Sequence, residues 1–597
     1  MAGSVLSRAF LRLTEAVDRR VGWHRLPRPL GILTLIGIRD RLRHTNLYDT
    51  GPACPPIPSP PEGMEDGDVA FRTLDGTFND LDQPAMGSIG CRFGRNVPLQ
   101  FTRREDDAAL LTPNPRTVSR RLMTREHFQP ATTLNVLAAA WIQFEVHDWF
   151  SHGKPVPEPW RLPLEDDDPW LERPMRIMRT RPDPEPDPNG VPNTFVTTDT
   201  HWWDASQIYG NTREFAAKIR SGEDGKLRIG ADGLPPADLQ DGLDLEDVAG
   251  AFWLGLALLH TLFMLEHNAI CDRIKAENPT WSDERIFAKA RLVNAALMAK
   301  IHTVEWTPAI IAHPTTELGM RINWWGLVGE QATKRFGRLS PSEVLSGIPG
   351  SPTSHHGVPY SLTEEFVAVY RMHPLIPDEY VFRSAVDDQV VGSRTFPELG
   401  VREVRRRLDE LGMVDSLYSF GIAHPGAITL NNYPRFLQEF QRPAGDPPVI
   451  DLAATDILRS RERGVPRYNQ FRRLFHLKPV ETFEELTRNP GSAAQLREVY
   501  DGDVERVDLM VGLYAEPAPK GFGFSDTAFR VFILMATRRL KSDRFFTKDY
   551  RPEVYTRAGL DWIDDNNLST VLLRHFPELG PALQGVDNAF RPWTRVR

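Results

Sequence analysis

Five stretches of this chain repeat apolar side chains every three or four residues: 131–150, 248–276, 283–306, 362–372 and 526–541. That spacing lines one face of a helix, and the period-two alternation of a half-buried strand is scarce. Proline-rich segments run between them, chiefly 52–61 and 154–192, the second also acidic at 165–168. Proline removes a backbone donor and breaks helices, so these segments read as surface loops. No internal repeat is visible, which argues against a solenoid or a propeller. The expected architecture is mainly α: one large helical domain with few short strands over 46–597, preceded by an appended amphipathic segment over 1–45.

With 597 residues, 41% hydrophobic and 25% charged, the chain has ample material for a core. Its 71 Lys and Arg against 80 Asp and Glu give a net charge of -9. A basic surface for neutralising phosphates is lacking, so nucleic acid is not an expected partner. The three cysteines (Cys54, Cys91, Cys271) cannot make a disulfide framework and lack the spacing of a thiolate zinc site. A reducing compartment, the cytoplasm, is expected.

At the N-terminus, arginines 8, 12, 19 and 20 alternate with leucines, Phe10 and Val17 at helical spacing. The apolar run from Leu30 to Ile38 falls short of the about 20 residues that span a bilayer. No small-residue cleavage pattern follows it, and Ala2 stands where N-myristoylation needs glycine. The segment is expected to pack its apolar face on the body, with peripheral contact to a membrane surface as the second reading.

Ser361-Leu-Thr-Glu364 has the form of a capping box, which predicts a helix start at 362. His373-Pro374 predicts its end, because the residue before proline leaves the α region. Tyr370 and His373, three apart, are then expected on one face of the last turn. Gln143 and His147, four apart, share a face of the 131–150 helix, whose other faces are apolar; buried there, they need polar partners. Singly, such residues are more often hydrogen-bonded core than functional. Arg538-Arg539 follows an apolar run; paired arginines usually form a solvated face, yet a guanidinium also suits a carboxylate. Glu266-His267-Asn268 reads as structural. Adjacent His355 and His356 point apart, which argues against a shared ion.

Gln143-Phe-Glu-Val-His147-Asp148, Leu259-His-Thr-Leu-Phe-Met-Leu-Glu266-His267-Asn268 and Tyr370-Arg-Met-His373-Pro-Leu-Ile-Pro377 occur in that order. In combination they resemble the haem peroxidase–cyclooxygenase superfamily, and within it the fatty acid α-dioxygenases, over most of the chain. The resemblance implies a haem peroxidase-like helical domain holding haem b without covalent bonds. His373 would be the proximal iron ligand, His147 the distal histidine with Gln143 beside it, and Tyr370 the radical tyrosine. His302 and one of the two arginines, Arg539 rather than Arg538, would bind a fatty acid carboxylate. In Thr200-His-Trp202-Trp-Asp204-Ala-Ser206, oxygen donors fall at alternate positions, which suits Ca²⁺, although spacing alone favours an ordinary turn. The resemblance places Ca²⁺ on Asp148, Thr200, the Trp202 carbonyl, Asp204 and Ser206.

The implied reaction starts with a hydroperoxide activator oxidising the haem, which then oxidises Tyr370. The phenoxyl takes a hydrogen from C2 of a long-chain fatty acid, and O₂ adds to give a 2-hydroperoxy acid. A monomer is expected. The rival reading is a haem peroxidase that oxidises small phenols or halides with H₂O₂. Such an enzyme would not need Tyr370, His302 and Arg539 together. Val146 also stands where mammalian-type peroxidases carry an acidic residue esterified to haem. A haem-free helical scaffold is the other rival, and it has no need of both histidines.

Overall fold

The computed structural model describes residues 5–51, 70–146, 149–236, 252–400, 403–442 and 445–596. Cys54, His147, Asp148 and the proline-rich stretch 52–61 lie outside them. Ten helices matter here: α1 (Val5–Val21), α2 (Arg28–Thr45), α3 (Val136–Val146), α4 (Leu254–Glu277), α5 (Asp283–Ile301), α6 (Pro314–Trp325), α7 (Glu364–Val369), α8 (Val404–Ile422), α9 (Leu452–Glu462) and α10 (Asp526–Ser542). The mainly helical domain with few short strands expected from the sequence is the fold observed.

At the centre, α4 packs against α3 and α5. Hydrophobicity all round a helix demands burial on every side, and α4 is long and apolar enough to cross a membrane by length and composition. Yet 83% of its most apolar window is buried inside the protein. Small residues Ala138, Ala139 and Ala140 on α3 are likewise buried. Several helix starts have side-chain caps. Ser282 accepts from the N–H of Arg285 to open α5, and Ser525 accepts from Ala528 to open α10.

The described strands form three antiparallel pairs. Pro159–Leu162 pairs with Met175–Met178, burying Trp160 and Leu162 against Met175 and Ile177. Part of the proline-rich 154–192 segment, read as loop, is thus a hairpin whose apolar residues alternate inward.

Two boundaries differ from the sequence expectation. Helix α3 begins at Val136, not 131. Helix α7 runs only from Glu364 to Val369, with Thr363 as its N-cap, accepting from the N–H of Phe366. The Ser361 box does not form, because Glu364 is turned to Nε2 of His152 at 3.0 Å. At the other end Tyr370 has φ -83 and ψ 5, and Met372 donates its N–H to the Tyr370 carbonyl at 2.8 Å. His373 opens a separate 3-10 turn, His373–Leu375. Tyr370 and His373 therefore do not share a helical turn. The chain unwinds ahead of Pro374, earlier than the proline rule alone predicts.

The N-terminal segment forms an antiparallel helical hairpin laid on the body. Thr14 of α1 sits so close to Gly37 of α2 that a Cβ there would lie 2.1 Å from the threonine hydroxyl. Helix α2 rests on α6 and α10. Asp18 pairs with Arg530 at 2.7 Å, and Trp23 donates its indole N–H to Asp526 at 2.8 Å.

Candidate active site

Tyr370 is buried in an aromatic shell, its ring 4.6 Å from Phe532, 4.7 Å from Phe366 and 6.1 Å from Trp149. Burial pushes the phenol pKa far above its ordinary value, so the hydroxyl keeps its proton at neutral pH. The ring lines a cavity shared with His302, Trp203 and Trp306, and with Phe529, Phe532, Ile533 and Leu540 of α10. Ile311, Met320 and Asn323 complete the far wall, and Thr303, Thr307 and Thr537 are its hydroxyl groups.

His302 opens a π-helical turn, His302–Trp306, that continues α5. Its ring stacks on Trp306 at 4.7 Å, and the Trp141 indole donates to Nδ1 at 3.2 Å. An indole N–H can only donate, so Nδ1 is the acceptor and Nε2 carries the proton. Burial, then the nearby Arg539 cation, lowers this histidine to about 3, so the ring is neutral.

Arg539 is buried, its guanidinium 3.5 Å above the Trp149 ring and 4.9 Å from that of Trp203. Its Nε, Nη1 and Nη2 make no hydrogen bond of good geometry among the described residues, although the buried Tyr360 phenol lies close enough to feel its charge. It is not itself a wall residue of the cavity; Trp203, on which it stacks, is. Arg538, the neighbour, is committed elsewhere: its Nη2 donates to the carbonyls of Val358 at 2.7 Å and Pro359 at 2.8 Å. A buried guanidinium without well-aligned acceptors is costly, and a planar anion removes that cost.

His373 turns Nδ1 toward the buried Asp456 carboxylate, 3.3 Å away at ion-pair distance. Arg371 approaches the other carboxylate oxygen at 3.4 Å. Burial, opposed by Asp456, lowers the histidine below its ordinary pKa, which favours the neutral form that binds a metal. The side chain remains 25% exposed while Asp456 is wholly buried. An imidazole backed on one nitrogen by a carboxylate and open on the other edge fits a haem-iron ligand. Gln143 accepts from the Trp253 indole at 2.8 Å, which fixes its amide.

In the 200–206 loop the Thr200 hydroxyl donates to Asp204 Oδ2 at 3.1 Å, and the Ser206 N–H donates to Oδ1 at 3.2 Å. Arg291 stands 3.4 Å from Oδ2. Among the described residues no group of three His, Cys, Asp or Glu forms a metal cluster. The loop offers one described carboxylate, with hydroxyls and a carbonyl, which is the donor type Ca²⁺ takes. Elsewhere, His355 bonds Asp80 at 2.8 Å, and Glu266 accepts from Arg574, His575 and Trp562.

The structure thus gathers Tyr370, His302 and Arg539 and sets Arg538 and His373 in other surroundings. Sequence reading missed Trp141, Trp149 and Trp203, which orient His302 and cage Arg539, and Asp456 behind His373. Trp141 on an apolar helix reads as core, Trp149 and Trp203 stand in irregular segments with no pattern of their own, and nothing local marks Asp456.

The animal haem peroxidase family model matches residues 71–588. α-Dioxygenases 2 and 1 of Arabidopsis thaliana are 37% and 38% identical over 97% and 99% of this chain and 92% and 93% of their own. The chain belongs to the animal haem peroxidase family, and within it to the α-dioxygenases. The crystal structure of Oryza sativa fatty acid α-dioxygenase matches it with a TM-score of 0.89 at 35% identity, covering 99% of this α-dioxygenase and 97% of the rice chain. A tyrosine-to-phenylalanine variant of the rice enzyme, solved with palmitic acid, matches equally, at 34% identity over 99% and 98%. Peroxidase A from Dictyostelium discoideum, 21% identical with a TM-score of 0.69 over 87% and 99%, shares the fold. Membership of this family implies haem.

Proposed function

We propose that this α-dioxygenase takes a long-chain fatty acid with its carboxylate between Arg539 and the Nε2–H of His302, so that C2 lies against the Tyr370 hydroxyl. The carrying observation is the buried Arg539 guanidinium, with no hydrogen bond of good geometry among the described residues, near a histidine whose free donor edge shares a cavity with Tyr370. Its apolar walls suit an acyl tail and offer little to a halide.

Haem b held by His373 would, after a hydroperoxide, supply the one-electron oxidation in which Tyr370 gives up an electron together with its phenol proton, leaving the neutral phenoxyl. The phenoxyl oxygen then takes a hydrogen atom from C2, and O₂ adds at that carbon. The peroxyl radical regains a hydrogen atom from Tyr370, giving a 2-hydroperoxy acid and restoring the radical. The shell of Phe366, Phe532 and Trp149 keeps water from the phenoxyl. His147 and Gln143 belong to the hydroperoxide side. Asp148, Thr200, the Trp202 carbonyl, Asp204 and Ser206 would be the oxygen donors that hold Ca²⁺. The enzyme acts as a cytoplasmic monomer.

Oxygen uptake with palmitic acid tests the proposal: the wild type consumes O₂ and Tyr370→Phe does not. Equal rates in the two, or a hydroperoxide placed at mid-chain, would overturn it.

A further inference from the structure

The hairpin of α1 and α2 leaves apolar side chains in solvent. Leu13 is 64% exposed, Val21 43%, Leu30 54% and Leu33 48%. Thr14 meets Gly37 across the hairpin and Gly31 abuts Thr315 of α6, while Leu13 and Leu33 turn from those packed faces into solvent. Half-buried Phe10, Val17 and Ile36 extend the stripe at helical spacing.

Charge follows the same polarity. The segment carries exposed Arg8, Arg12, Arg19, Arg20, Arg25 and Arg28 on a chain whose overall charge is -9. Its three acids are all paired: Glu15 with Arg41 and Arg19, Asp18 with Arg530, and Asp40 with Arg39 and Arg43. The surface is left locally cationic around an apolar stripe.

Behind the stripe lies the cavity. A Cβ on Gly31 of α2 would lie 2.9 Å from Thr315 of α6, and Gly319 of α6 lies beside Ile32. Helix α6 in turn gives Met320 and Asn323 to the cavity wall. One helix thus separates the exposed stripe from the pocket that would hold an acyl chain.

We infer that the α1–α2 hairpin is a docking surface for an anionic lipid bilayer, from which the enzyme draws its substrate; the substrate part rests on the fatty acid reading above. Leucines and valines would enter the acyl boundary while the arginines meet lipid phosphates, the pattern of interfacial helices. A lipid surface, rather than a protein groove, matches apolar side chains spread along two helices with cations around them.

Co-sedimentation of the holoenzyme with phosphatidylcholine vesicles, with and without phosphatidylglycerol, tests this without turnover. Wild type should bind the anionic vesicles, and the bound fraction should fall as salt is raised. A Leu13→Glu/Leu30→Glu/Leu33→Glu variant should bind at least tenfold more weakly. Its O₂ uptake with micromolar free fatty acid should be unchanged, but uptake from vesicle-borne palmitic acid should fall. Wild type left in the supernatant with both vesicle types, or a variant that binds as well, overturns the inference. So does a concentration-dependent dimer abolished by the same substitutions, which would assign the stripe to a second copy of the chain. Loss of fatty acid oxidation with vesicle binding intact would instead count against the substrate alone.

Discussion

Trp141 donates its indole N–H to Nδ1 of His302 at 3.2 Å, and that bond decides which edge of the imidazole is a donor. The free N–H lies on Nε2, the edge to which the proposal assigns the carboxylate. Trp141→Phe removes the constraint while keeping an aromatic ring in place. One net hydrogen bond is worth about 1 kcal/mol, so KM for palmitic acid is expected to rise roughly fivefold. Because Trp141 does not face Tyr370, kcat should stay within about twofold. Steady-state oxygen uptake across fatty acid concentrations separates the two constants.

The two adjacent arginines should answer differently to the same substitution. Arg539→Lys keeps a charge but loses the planar fork and its stack on Trp149. Losing a charge-assisted pair costs about 2 kcal/mol, so KM should rise roughly thirtyfold. Arg538→Lys instead forfeits bonds to the Val358 and Pro359 carbonyls. Here a Tm lowered by several degrees is expected, with KM little changed. An Arg538 variant that raised KM while keeping its Tm would reverse the assignment.

The helical class was legible because its periodicity is long and repeated: α4, α5 and α10 lie within a few residues of their expected spans. Motif order was legible too, since Tyr370-Arg-Met-His373-Pro survives as a local string. What the string could not carry was its shape. Whether Tyr370 and His373 share a turn depends on Met372 donating back to the Tyr370 carbonyl, a choice made by packing. The capping box failed for a similar reason, because Glu364 meets His152, more than two hundred residues away in the chain. Asp456, Trp141 and the tryptophan cage of Arg539 come from separate helices and loops, and no local pattern brings them together.

Asp456 backs His373 at 3.3 Å, and such carboxylates hold a metal-bound imidazole in its orientation. Asp456→Ala should weaken haem retention about 10- to 100-fold. Following transfer of haem to an excess of apomyoglobin by the Soret band measures this directly. Identical transfer rates in wild type and variant would remove Asp456 from the proximal side.

Chelation addresses the 200–206 loop. If Ca²⁺ binds Asp204 and its neighbours, it stabilises the native state by RT ln(1 + c/Kd), where c is the free Ca²⁺ concentration. EGTA should then lower the Tm of wild type by several degrees and restoring Ca²⁺ should recover it. Asp204→Ala should already melt low and respond to neither. A chelator-insensitive wild type would leave Thr200 and Asp204 as an ordinary turn.

Acid should destabilise the protein partly through His302. Folding lowers its pKa from 6.5 to about 3, chiefly by burial and secondarily through the Arg539 charge. Between those values the unfolded chain holds a proton that the native ring does not, so this contribution is intact above pH 6.5 and lost as pH falls toward 3. Glu305, raised by burial to about 7, acts in the opposite sense between that pH and its ordinary value of 4.5, since its native form is the protonated one. His302→Asn removes one such proton and leaves Glu305 in place. The slope of unfolding free energy between pH 6 and pH 4 should therefore flatten by about 1.4 kcal/mol per unit, read from urea unfolding at each pH. Over pH 5 to 8 the wild-type KM should show no titration of this ring, because a histidine lowered to about 3 is already neutral throughout that range.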